Sequence, residues 1–330
     1  MRLLSITLLV LLAFVSCEES DVTNDSGPQN RWLVDTTQIS GTISDLFGLI
    51  VDPVYVSKNQ VDFLNQNDPV LVYKDGSTAY IFPIASLYNE VVNVTIKNKP
   101  IAITYCPKTG SCLAWPRILR DDTLLLKPSG MLFKDNLMPM DVNTSDIWVQ
   151  MLSTCVNGDA MGSYNDITET GILIETSWET AYESFPEAPV LDNNQYSIRK
   201  STNTKAFVGD YLGIFKGNSI NEFSQVSIIS NTSFSDTITI IEHESNIIVG
   251  SNIYHFMVPF SNNDGREFTS VTNQFPIVMK DEFDNYWDWT GYAVIGPDKG
   301  KQLERVTFYN AKLWAWESFF EQVSFINSRP

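Results

Sequence analysis

The residue types able to do chemistry at neutral pH are concentrated in one segment of this 330-residue chain, Thr104-Tyr105-Cys106-Pro107-Lys108-Thr109-Gly110-Ser111-Cys112. A cysteine followed by proline, with a lysine two positions on, is a modestly activated nucleophile or a soft metal ligand when exposed, because the reactive species is the thiolate and a nearby cation favours it. In an apolar interior the same side chain is an inert small hydrophobe. Only two histidines occur, His243 and His255, which leaves few candidates for a histidine general base. His243 lies between Glu242 and Glu244, a spacing that matches no standard ligand pattern, and both histidines read as solvated polar residues. Asp141, Asp146, Asp281, Asp284 and Asp288 carry the oxygen ligands a divalent cation would take, against the plainer reading of solvated acidic loops. There is no Gly-rich phosphate loop, HExxH helix or GxSxG elbow. Nothing selects a glycosidase-like pair among the 39 carboxylates.

The elements that position the cysteine segment are mostly strands. Val70 to Tyr73, a Lys74-Asp75-Gly76-Ser77 turn and Thr78 to Pro83 predict a hairpin. Val91 to Lys97, Asn98-Lys99 and Pro100 to Tyr105 predict a second. The cysteine turn then leads into a strand through Leu113-Ala114-Trp115. Helical spacing is confined to Thr176–Phe185 and Ala311–Val323. The expected fold is α+β and β-rich, with two diverged copies of a mainly antiparallel β unit and short helices.

The duplication is read from spacing. Pro83 and Pro100 lie 17 apart, as do Pro259 and Pro276. Gly158, Gly162 and Trp178 fall at the same steps as Gly296, Gly300 and Trp316. Trp148 and Trp287 precede their glycines by similar distances, so these four tryptophans read as core rather than as sugar-stacking surfaces. The implied division is a leader over 1–16, a polar acidic tether over 17–40, a first repeat over 41–192, a connector over 193–235 and a second repeat over 236–330. On the proline register the first copy carries about 37 extra residues, Thr104 to Met140, since Pro100 to Trp148 spans 48 positions and Pro276 to Trp287 only 11.

Met1-Arg2, the apolar run Leu3 to Val15 and Ser16-Cys17 resemble a bacterial lipoprotein signal, in which Cys17 becomes the acylated N-terminus. An ordinary secretory signal with an incidental cysteine is the alternative. The run is too short for a spanning helix of about 20 residues, so the protein is expected to be membrane-anchored through lipid. Glu18, Glu19, Asp21 and Asp25 resemble surface-export signals of outer-membrane lipoproteins. The balance of 39 Asp+Glu against 22 Lys+Arg, net charge −17, argues against a nucleic-acid partner. The composition, 43% hydrophobic and 18% charged, argues against disorder.

The cysteine segment resembles the bacterial domain-of-unknown-function family numbered 3179. The resemblance extends to Asn89-Glu90-Val91-Val92-Asn93, to Ser129-Gly130-Met131-Leu132-Phe133-Lys134-Asp135-Asn136-Leu137, to Trp148-Val149-Gln150-Met151 and to the Gly158/Gly162 pair. It implies Tyr105, Cys106, Pro107, Ser129, Gly130, Asn136 and Trp148 as family-motif residues. Relatives with a second cysteine or a selenocysteine in the turn suggest thiol redox or metal chemistry there; this chain has Thr109 at that place. Cys112 and Cys155 are extra relative to the family pattern. In an oxidising compartment they are expected to form a disulfide with each other; Cys106–Cys112 and free thiols are the alternatives.

The functional expectation is an extracytoplasmic lipoprotein with a binding or structural role. A thiol-redox or soft-metal protein using Cys106 is the alternative, and a glycan-binding surface protein a second. Cofactor and partner other than the membrane are left undefined.

Overall fold

Among residues 69–191 the apolar runs form hairpins because both faces of the first are covered. Strand β1 (Pro69–Asp75) pairs antiparallel with β2 (Thr78–Pro83). Val70, Val72 and Ile81 face one core, while Leu71, Tyr73 and Phe82 face another, which is why the run shows no polar alternation. The chain continues through β3 (Glu90–Ile96), β4 (Lys99–Cys106) and β5 (Ser111–Pro116). A meander follows, of β6 (Leu126–Phe133), β7 (Asn136–Asp141), β8 (Ile147–Val149) and β9 (Thr154–Asn157). It ends with β10 (Ile172–Ser177), α1 (Trp178–Ser184) and β11 (Val190–Leu191). The computed structural model describes residues 31–192, 209–217 and 220–327; the leader, Cys17 and most of the expected tether lie outside them.

The same order then recurs. It runs β12 (Tyr211–Phe215), β13 (Gln225–Ser230), β14 (Thr239–His243), β15 (Asn246–Ser251), β16 (Phe256–Ser261), β17 (Phe268–Ser270), β18 (Ile277–Asp281), β19 (Tyr286–Asp288), β20 (Ala293–Ile295), β21 (Phe308–Ala311), α2 (Leu313–Phe319) and β22 (Gln322–Phe325). The three larger sheets of the first unit have counterparts: β10-β1-β2-β11 matches β21-β12-β13-β22, β3-β4-β5 matches β14-β15-β16, and β6 to β9 matches β17 to β20; the two-strand ribbon Ile118–Leu119 with Asp122–Thr123 has none among the described residues. A parallel neighbour repeats as well, β11 on β2 and β22 on β13. The fold is α+β and β-rich, with mainly antiparallel sheets and two short α-helices.

Three boundaries expected from sequence are corrected by this topology. Residues 193–235 are not merely a connector, because β12 and β13 are the counterparts of β1 and β2. The stretch Thr104–Met140 is not an insertion, because β5, β6 and β7 within it match β16, β17 and β18. The prolines are the reason: Pro83 ends β2, whereas Pro259 lies inside β16 opposite Ile248. Proline tolerates many strand ends and edges, while the Gly158/Gly296 and Trp148/Trp287 matches are fixed by tight turns and core. Trp178 opens α1 but Trp316 is the fourth residue of α2, so those two tryptophans sit one helical turn apart. The tether also ends early. Trp32 and Val34 pack on the core, and the leading segment adds one strand to each of the three larger sheets of the first unit: Ile39–Gly41 beside β6, Gly48–Val51 beside β3 and Tyr55–Val56 beside β11.

Packing exchanges the units. The core under α2 joins β12, β13 and β21 of the second unit to β6–β9 of the first. The core under α1 joins β1, β2 and β10 of the first to β15–β20 of the second. Two smaller cores are internal to the units. Each large buried side chain stabilises by about 1.5–3 kcal/mol, so neither meander is stable without the other unit's sheet.

Candidate functional site

The cysteine turn closes because Gly110 takes a left-handed φ of 68° and its N–H donates to the Cys106 carbonyl at 2.8 Å. Cys106, at the end of β4, is 1% exposed. Its thiol donates to the Asp135 carbonyl at 3.5 Å. Asp135 lies in the β6–β7 turn, where Lys134 and Asp135 both take left-handed φ, 47° and 60°. Above the thiol, Lys108 Nζ pairs with Asp135 Oδ1 at 2.6 Å in the open. The second unit supplies a roof: the Lys312 N–H donates to the Thr109 carbonyl at 2.8 Å, and Lys134 Nζ donates to the Ser318 carbonyl at 2.6 Å.

Beside Cys106 lies a closed polar network. Thr104, Thr109, Ser111, Asn136 and Gln150 are all fully buried. Asn136 Nδ2 donates toward Thr109 Oγ1 (3.0 Å), Ser111 Oγ (3.1 Å) and Gln150 Oε1 (2.9 Å). Ser111 Oγ donates to Gln150 Oε1 at 2.7 Å, and Gln150 Nε2 donates to Thr104 Oγ1 at 2.9 Å. Asn136 Oδ1 accepts from the Met151 N–H at 2.9 Å. Such a set is stable only when its members satisfy one another, and here they do. Ser129 and Gly130 lie outside this network and shape β6 instead. Ser129 Oγ donates to the Met138 carbonyl at 2.6 Å, and Gly130, at φ 91°, leaves no room for a Cβ, which would come 2.5 Å from the Thr42 carbonyl. Trp148 packs edge-on to Trp115, centroids 5.7 Å apart. Tyr105 packs the same way against Tyr88 at 5.3 Å.

The expected Cys112–Cys155 disulfide is corrected: Cys106, Cys112 and Cys155 are each free and buried. Side chains alternate across a strand, so Cys112 faces the core of β1–β5 while Cys155 belongs to the core on the other side of β5. Cys106 pairs across the ladder with Ser111, and Cys112 with Tyr105, so the alternative pair Cys106–Cys112 also points to opposite faces. Burial pushes the Cys112 thiol well up and the Cys155 thiol up to about 12. Burial likewise raises the Tyr105 hydroxyl. These are protonated, unreactive groups.

The other candidates do not converge. Among the described residues no group of three or more His, Cys, Asp or Glu side chains is placed to hold a metal ion. His255 is half-buried in the turn matching the cysteine turn, and burial lowers its pKa. The aspartates are not solvated loops, Asp284 excepted. Asp141 accepts the Leu125 and Thr144 N–H groups, Asp281 accepts those of Phe283 and Asn285, and Asp288 those of Thr290 and Tyr292. They are turn caps, and buried for that reason.

Comparison of the units shows what stands opposite the polar residues of those segments. Ladder registers match Cys106 to Ser251, Thr109 to Tyr254, Ser111 to Phe256 and Cys112 to Met257. The Gln150 N–H donates to Leu137 as the Trp289 N–H donates to Pro276, which matches Gln150 to Trp289 and Asn136 to Phe275. Where the first unit has the polar network, the second has aromatic contacts: Phe256 against Trp289, centroids 5.1 Å apart, and Tyr254 stacked on Phe275 at 4.0 Å. Both fillings complete one scaffold. Thr104, Ser111 and Gln150 lie in segments the sequence marks, but only a correct alignment of the two halves would have shown what replaces them in the second.

Fold and site together define a class: an internally duplicated β protein whose first unit carries a cysteine turn over a closed polar network. The chain belongs to the family described as "Protein of unknown function (DUF3179)", which it matches over residues 44–323. No curated protein and no solved structure matches it.

Proposed function

We propose that this protein is a membrane-anchored extracytoplasmic lipoprotein, held through acylated Cys17, with a binding or structural role rather than a thiol-based activity. The observation that supports the role is the closure of Cys106: it is 1% exposed, hydrogen-bonded to a backbone carbonyl, and flanked by polar groups that satisfy one another. Cys112 and Cys155 stand where the second unit has Met257 and Ala293, which supports their reading as plain core. No helix of the described residues is long and apolar enough to cross a membrane.

Thiol titration tests the role. Native protein should react negligibly with a disulfide reagent, and unfolded protein should expose all three thiols of the folded part. Rapid native reaction at Cys106 would favour the redox or soft-metal reading instead. Fractionation tests the anchor, since Cys17→Ala should move the protein from membrane to soluble fraction.

A further inference from the structure

The leading segment covers sheet edges of the first unit, whereas the matching edge at β14 in the second carries no strand among the described residues. In the first unit Gly48–Val51 lies parallel on β3, with Gly48 opposite Glu90 and Val51 opposite Asn93. The next ladders pair Ile96 with Lys99 and His243 with Asn246, which matches His243 to Ile96, Ile241 to Val94 and Thr239 to Val92. Val92, Val94 and Ile96 are buried, but Thr239, Ile241 and His243 are only half-buried. Leu191 pairs with Tyr55 of the leading segment and is buried; its counterpart Ile326 is half-buried. The second unit's strand lacks the cover that the first unit's has.

The backbone direction of that edge follows from the covered one. The Gly48 N–H donates to the Asn89 carbonyl at 3.1 Å, so Asn89, Val91 and Asn93 turn their backbone groups to the covering strand, because successive residues alternate. The matching residues are Ile238, Ile240 and, further along, Glu242. A row of outward N–H and C=O groups on a β-branched strand is a template for one more strand. Charge says which kind. In the first unit Lys127 pairs with Asp45 of the leading segment at 3.0 Å. Thr269 holds the place of Lys127, and its ladder neighbour Lys280 is held by Asp284 at 2.5 Å. Glu242 and Glu244, both exposed, take the places of Thr95 and Lys97. This edge therefore repels an acidic segment like the one on β3 and attracts a basic one.

We propose that the β14 edge binds an extended segment of another polypeptide, apolar at its centre and basic at its flanks, which adds to the sheet as Gly48–Val51 adds to β3. The assignment deepens the binding role proposed above and rests on it. Ile240 supplies the central backbone donor and acceptor, and Glu242 and Glu244 the charge.

Fluorescence anisotropy on the folded protein tests it, the probe being a dye-labelled peptide of residues 45–54 carrying Asp45→Lys and Asp52→Lys. This peptide should bind saturably, and roughly tenfold or more tighter than the unaltered acidic peptide. Hydrogen exchange at the Ile240 amide should slow by a similar factor with peptide bound, while that of Ile241, which faces β15, stays unchanged. Ile240→Pro removes the edge donor and leaves the ladder to β15, so it should weaken binding about as much while circular dichroism stays native-like. Where that variant does not fold, the exchange measurement decides. Absence of saturable binding, equal binding of the acidic peptide, binding without protection of Ile240, or undiminished binding by a folded Ile240→Pro variant overturns the assignment. So does a dimer in light scattering that Ile240→Pro dissolves, which would give the edge to a second copy. None of these results alters the thiol titration, so failure here and failure of the non-thiol role are distinguishable.

Discussion

Gln150 illustrates what one side chain does here. It accepts from Ser111 and Asn136 and donates to Thr104, so Gln150→Leu removes one hydrogen bond from each of three buried partners. The expected loss is about 3 kcal/mol, read from urea denaturation; a loss under about 0.5 kcal/mol would mean that the network relaxes onto water. Cys155 makes a pH prediction. Burial raises its thiol from 9.0 to about 12, so the native state keeps a proton that the unfolded chain has lost. Its contribution is full below about pH 9 and is lost as pH rises toward 12. Buried tyrosines such as Tyr309, raised by burial too, act with the same sign. The cysteine's share is therefore isolated by Cys155→Ala, the residue its counterpart already has: stability measured at about pH 8 and about pH 10 should differ less in the variant than in the parent. A slope unchanged by the substitution would remove this account.

At the scale of elements, matched strands solve one packing problem in two ways. Val72 on β1 faces a helix whose matching residue is Ala181, while Gly213 on β12 faces Trp316. A Cβ at Gly213 would stand 2.4 Å from the indole. Gly213→Val should therefore cost about 1–3 kcal/mol or more, and Gly213→Val with Trp316→Ala, which copies the first unit's pairing, should cost less than the sum of the single changes. Additive costs in a double-mutant cycle would show that the two residues are not coupled. The hairpin β1–β2 was legible because Asp75-Gly76 marks its turn. The β3–β4 turn falls at Lys97-Asn98, φ 50° and 63°, one residue before the expected place, because the ladder pairs Ile96 with Lys99. The end of α2 was overestimated, since Gln322–Phe325 leaves the helix to pair with β13, a long-range gain that local periodicity does not contain.

For the whole molecule, the exchange of cores makes two units into one cooperative body. Each meander finds its apolar partner on the other unit, so neither half has a complete core to unfold separately. Unfolding followed by far-UV circular dichroism and by tryptophan fluorescence should give one coincident transition. Separate midpoints would show that the internal cores alone hold each unit. The leading segment extends the same interdependence, because its three short strands lie on three different sheets.

The sequence by itself determined the β-rich class, the family, the hairpin turns and the fact of duplication, because turns, strand faces and the tryptophan–glycine spacing are set by nearby residues. It marked Cys106, Asn136 and Trp148 through the family resemblance, but not their surroundings. Only the tertiary structure decided the register of the two copies, the separation of Cys112 from Cys155 by the two faces of β5, and the polar network that occupies one unit where aromatic rings occupy the other. Those are relations between residues far apart in the chain, fixed by which faces pack together, and no local spacing carries that information.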